Sequence, residues 1–203
     1  RNLFPNPLLL TATGGTTANG ATGTVADNLS VTNAAGNTGT LTYAASVAAA
    51  SHGYGNEQLI AITAAAAGDR PRFAFENSTG GSATIANDLI PGRTYRLEAL
   101  LRIASNSWAD TPVTELYADL VITDSVTSLD YRVSALENFA GLTGVSIAED
   151  LTLYLQTADI TIPATANPSV AQMSIYVRCS AGITNSKTLT LGLSRIAVWD
   201  VTA

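Results

Sequence analysis

Four segments of this chain alternate apolar and polar residues with a period of two. In TYRLEALLRIAS, Tyr95, Leu97, Ala99, Leu101 and Ile103 share one face, and Arg96, Glu98 and Arg102 share the other with Leu100. TELYADLVITDS sets Leu116, Ala118, Leu120 and Ile122 against Glu115, Tyr117, Asp119 and Val121. DLTLYLQT sets Leu151, Leu153 and Leu155 against Thr152, Tyr154 and Gln156, and AQMSIYVRCS sets Met173, Ile175, Val177 and Cys179 against Tyr176 and Arg178. Successive side chains of a strand point to opposite sheet faces, so this pattern predicts half-buried antiparallel strands.

Weaker runs predict further strands over 24–33, 39–48, 57–66, 71–78, 83–90, 129–138 and 189–202, and the opening RNLFPNPLLL leads into a strand-like apolar segment. Turn-rich stretches punctuate them: AAGNTG, AAGDRP, STGGS, IPGR and TNSK. The Gly/Thr-rich segment 12–24 reads as a long surface loop between the first two strands. VAAASHG carries alanine helix propensity but is short and has β-branched neighbours. About a dozen strands with few helices predict an all-β, two-sheet antiparallel sandwich. With no boundary or repeat visible, residues 1–203 read as a single domain, excised or processed out of a larger protein.

Composition narrows the partners. Charged residues are 13 % of the 203 and the net charge is −6, with Lys187 the single lysine. Nonspecific nucleic-acid binding needs a basic footprint, which this chain lacks. No apolar run reaches the roughly 18 residues of a membrane helix, so membrane insertion is not expected. Cys179 stands alone and its alternating context reads as a small buried residue. The Ala, Thr, Gly, Ser and Asn content fits an extracellular or virion-surface protein.

The chemistry available argues against catalysis. His52 is the single histidine, and neither a G-x-S-x-G elbow nor a Gly-Asp-Ser nucleophile motif is present. One His and one Cys cannot supply a zinc site. Asp110, Glu115, Asp119 and Glu137 are candidates for a paired-carboxylate glycosidase only by being present.

NLFPNPLLL followed by GTVADNLSV resembles the entry to galactose-binding-like jelly rolls. That group includes many carbohydrate-binding modules and sandwich domains appended to phage tail proteins and surface hydrolases. Asn2, Leu3, Asn6 and Pro7 match its lead, and Asp27-Asn28-Leu29 stands where Asp-Gly-Trp is usual. HGYGNEQLI is similar to its Gly-x-x-Gln-x-Ile segment, LIPGRTYRLEALLRI to its Leu-x-x-Gly-x-x-Tyr strand, and LGLSRIAVWDV to the closing strand that pairs with the first. The resemblance implies a jelly roll and sugar binding. Many such modules hold a structural calcium; here Leu8, Leu9 and Leu10 fill the early acidic position, and Asp200 alone keeps the late one. No other cofactor is implied.

Sugar binding asks for aromatic faces beside hydrogen-bonding side chains. Trp108 sits in a loop with Asn106 and Asp110, as a platform or as a plug on the sandwich edge. His52, Tyr54 and Asn56 form a second loop, open to ligand or capping the core. Tyr117, Tyr154 and Tyr176, beside Arg178, would floor a groove if their strands share a sheet; cross-strand pairing or a neighbouring subunit accounts for them equally. Trp199 reads as packing near the sandwich end. Arg70 reads as a solvated turn residue or an acidic-glycan contact. The expected partner is a polysaccharide or cell-surface glycan, met by a module of a secreted or virion-surface protein such as a phage tail fibre. A structural spacer forming a homo-oligomer, such as a trimer, is the alternative, and an accessory domain of a polysaccharide-active hydrolase a further one.

Overall fold

The structure, a computed structural model, describes residues 2–12, 16–17, 22–23, 25–33, 42–64, 71–76, 88–105, 113–124, 130–137, 151–179 and 188–202. Thirteen strands occur among them: β1 (Thr16–Thr17), β2 (Thr22–Gly23), β3 (Ser30–Asn33), β4 (Thr42–Ala49), β5 (Asn56–Ala64), β6 (Pro71–Glu76), β7 (Thr94–Ser105), β8 (Val113–Asp124), β9 (Asp130–Glu137), β10 (Leu151–Gln156), β11 (Ile160–Thr161), β12 (Pro168–Cys179) and β13 (Leu189–Asp200). They form two sheets. One runs β1-β3-β6-β12-β8-β9; the other runs β10-β7-β13-β5-β4-β2, with β11 also on β7. The long pairings are all antiparallel, and only the two-residue strands β1 and β2 pair parallel, with β3 and β4.

The period-two reading of β7 holds: Tyr95, Leu97, Ala99, Leu101 and Ile103 are each 1 % exposed or less. They meet Ile60, Ile62, Leu189, Leu191 and Leu193 of their own sheet and Val31, Phe73, Ile122 and Ile175 of the other in one core. Tyr43 of β4 is buried in the same core, and its hydroxyl donates to the Val31 carbonyl at 3.0 Å, linking the two sheets. VAAASHG is not helical: Val47–Ala49 end β4.

Three expectations change. The apolar opening is not a strand: it touches β13 through one bridge, Asn2 to Trp199, and a Leu3 N–H donated to Val198 O. Its prolines and asparagines explain why. Asn6 accepts the Leu10 N–H and donates to the Thr11 and Asp27 carbonyls, a turn clamp no ladder would allow. Leu9 follows with φ +53, fully buried, a left-handed state that the packing around it must hold. Secondly, the strand expected over 24–33 is only Ser30–Asn33, because Asn28 turns the chain at φ +66. Asparagine tolerates that region, so Asn28 does the work of the glycine usual there. Thirdly, segment 12–24 is not loop throughout, since β1 and β2 extend opposite sheets from it. Of the strand expected at 83–90, 83–87 lie outside the described residues and Asp88–Ile90 is not strand.

The IPGR turn forms as expected. Gly92 has φ +85 after Pro91, Arg93 N–H reaches Ile90 O, and the buried Tyr95 hydroxyl accepts the Ile90 N–H at 2.8 Å.

Candidate functional site

The outer face of the seven-stranded sheet brings together aromatic, charged and hydroxyl side chains from several strands. Register sets its rows. Tyr154 of β10 pairs with Leu100 of β7, and Leu100 pairs with Ser194 of β13. Adjacent strands lie about 5 Å apart, so Tyr154 and Ser194 stand roughly 10 Å apart across the face. At the end of that row the His52 ring meets Ser194 Oγ at 3.2 Å. Further along β7, Trp199 pairs with Arg96.

Tyr154 is 58 % exposed and Trp199 36 %. One carboxylate stands beside both. The Trp199 indole donates to Glu98 Oε2 at 2.8 Å, and Glu98 is close enough to act on the Tyr154 hydroxyl. Desolvation against the sheet, then Glu98, raise the Tyr154 pKa and keep the hydroxyl protonated. Beside them Arg96 grips Asp159 with two bonds, at 2.6 and 3.0 Å, which lowers the Asp159 pKa. These are rigid rings with fixed polar neighbours on strand positions, an arrangement suited to stacking and hydrogen bonding.

On this same face lies a largely buried ion pair. Arg102 of β7 reaches across β13 to Glu57 of β5, with bonds of 2.8 and 3.1 Å. It passes over Gly192, where an added Cβ would stand 2.3 Å from Glu57 Oε2. Only glycine leaves room.

At the β4–β5 tip, Gly53 (φ +74) and Gly55 (φ +73) shape a tight turn that exposes His52 and Tyr54. Tyr54 N–H donates to His52 Nδ1 at 3.3 Å, while the other ring nitrogen, Nε2, is the one that meets Ser194 Oγ. Asn56 faces inward to the scaffold: its amide donates to Leu9 O, and its backbone N–H to Leu8 O.

The three tyrosines do not share a sheet. Tyr117 and Tyr176 are direct register partners in the six-stranded sheet, with Arg178 opposite Glu115, whereas Tyr154 belongs to the other sheet. Period two cannot reveal which strands become neighbours. Trp108, Asn106, Asp110 and Arg70 lie outside the described residues. Arg93 and the Thr202 N–H engage the two oxygens of Asp200, and among the described residues no three acidic, His or Cys side chains gather to hold a metal. Sequence reasoning missed Glu98, Glu57 and Arg102 as partners and set Trp199 aside as packing. The signal for Trp199 was the polar β7 face opposite it, unreadable without the β7–β13 register.

No family model matches the chain, and no characterised protein matches it by sequence. Solved structures match by fold. One, described as the structural basis for the promiscuous specificity of carbohydrate-binding modules from the β-sandwich superfamily, aligns with 87 % of this chain at TM-score 0.52 and 12 % identity. The chain spans 58 % of that protein. The CBM22-1 xylan-binding domain of Paenibacillus barcinonensis Xyn10C aligns over 90 % of both chains at TM-score 0.41 and 14 % identity. The CBM22-1–GH10 modules of Clostridium thermocellum xylanase 10B, complexed with xylohexaose, align with 84 % of this chain and 26 % of their own at TM-score 0.43 and 14 % identity. At these identities the likeness is one of fold alone, a two-sheet β-sandwich.

Proposed function

We propose that this chain is a non-catalytic carbohydrate-binding module whose glycan lies on the outer face of the seven-stranded sheet. The observation that carries it is the pair of partly exposed rings, Tyr154 and Trp199, on one sheet face with Glu98 between them and bonded to the Trp199 indole. Each ring offers a flat apolar surface to the C–H side of a pyranose, and Glu98, Arg96 and Gln156 offer hydrogen bonds to its hydroxyls. The fold likeness to carbohydrate-binding modules supports the reading. Low charge and the Ala, Thr, Gly, Ser and Asn content favour a secreted or virion-surface parent protein, such as a phage tail fibre.

A glycan array on the intact chain tests this. Tyr154→Ala and Trp199→Ala are each expected to weaken binding about tenfold, roughly 1.4 kcal/mol. Unchanged affinity in both variants overturns the assignment of this face.

A second reading rests on the other sheet, where the register row Leu136–Tyr117–Tyr176–Arg72 brings two tyrosines side by side. Such a row suits a homo-oligomer contact, a trimer included. Light scattering decides it: a monomer at all concentrations removes this reading.

A further inference from the structure

Arg93, Arg96 and Arg102 each hold a carboxylate, those of Asp200, Asp159 and Glu57. Arg195 is different. Among the described residues it has no carboxylate partner; its guanidinium carbon stands 5.0 Å from the centroid of the Tyr54 ring, and both residues are exposed.

The backbone is distorted to put it there. Leu189, Leu191 and Leu193 point into the core, and strict alternation would send residue 195 the same way. Instead β13 breaks register between Ser194 and Ala197, and Arg195 takes φ +51. A bulky L-residue rarely adopts that region, and a bulge in a strand is a device for re-aiming a side chain. The neighbours fit the same purpose. Gly53 N–H bonds Ala50 O and Ala50 N–H bonds Gly55 O, which fix the tip carrying Tyr54. His52 bonds Ser194, the residue next to Arg195. Ser194 in turn lies in the row of Leu100 and Tyr154, so the cation stands at one end of the proposed glycan face.

We propose that Arg195 and Tyr54, with His52 alongside, form a subsite for a carboxylate-bearing sugar unit of the hexuronate type. The guanidinium fork matches a carboxylate with two parallel bonds, and the exposed ring meets the sugar's apolar side. On a chain of net charge −6 this cation selects one acidic unit by contact, not by long-range field. The inference rests on the reading of this sheet face as a glycan surface.

Calorimetry with polygalacturonate and with its fully methyl-esterified form tests it on the intact chain, with neutral xylan alongside. The acid form is expected to bind about tenfold tighter than the ester, with the margin shrinking as salt rises. Arg195→Gln should erase the margin, so that acid and ester bind alike. Arg195→Lys should restore part of it, because an ammonium cannot make the paired contact. Arg195→Gly relieves the left-handed backbone, so it separates loss of the cation from loss of fold. Equal affinity for acid and ester, or a margin that survives Arg195→Gln, overturns the subsite. If xylan binds through Tyr154 and Trp199 while acid and ester bind alike, the subsite alone fails; if no glycan binds, both readings fail.

Discussion

At Gly192 the demand for a particular residue comes from two side chains distant in sequence. The Glu57–Arg102 pair crosses directly above it, buried, where breaking an ion pair leaves an uncompensated charge. Gly192→Ala is expected to lower stability by about 3 kcal/mol, read from the denaturant midpoint. In a Glu57→Ala background the same substitution should cost under about 1 kcal/mol, because the displaced partner is gone. Asp200 carries a different dependence. The Thr202 hydroxyl and the Arg93 guanidinium hold its pKa at about 2, below the ordinary 3.8. The carboxylate's contribution is therefore complete above pH 3.8 and is lost as pH falls toward 2. Melting temperature followed across that window should drop more in the natural chain than in Asp200→Asn.

At the scale of elements, the lead-in of residues 2–12 acts as a clasp between the β4–β5 tip and β13. Asn2 donates to Ile196 O and accepts the Val198 N–H, while Asn56 reaches back to Leu9 O. Pro7 O takes the Ile196 N–H inside the β13 bulge, so the clasp and the bulge that turns Arg195 outward support one another. Asn6 is its buried hinge, with three part-buried bonds to backbone groups. Asn6→Ala should cost about 2 kcal/mol. Urea unfolding with an unchanged slope would mark the loss as one of stability, and an unshifted midpoint would show the clasp to be dispensable.

Across the whole molecule the chain passes repeatedly from one sheet to the other, so the proposed face is assembled from β5, β7, β10 and β13, spread over more than a hundred residues. The alternation of β7 and β10 was legible from residues alone, because a half-buried strand must sort its side chains by polarity. So was the Pro91-Gly92 turn. These depend on local geometry, which neighbours in sequence determine. The inward Gln58, whose amide joins Ala26 N–H to Ser46 O, was not read from the residues. Which strands lie side by side was not legible: Tyr154 parted from Tyr117 and Tyr176, and Trp199 met Glu98, through pairings between distant segments. The bulge that turns Arg195 outward was hidden too, since it arises where the β13 register has to change. The sequence by itself therefore determined the strands, their buried faces and the sandwich class, through polarity and turn chemistry. Only the tertiary structure decided the proposed site, because pairing and register are settled by packing across the whole core.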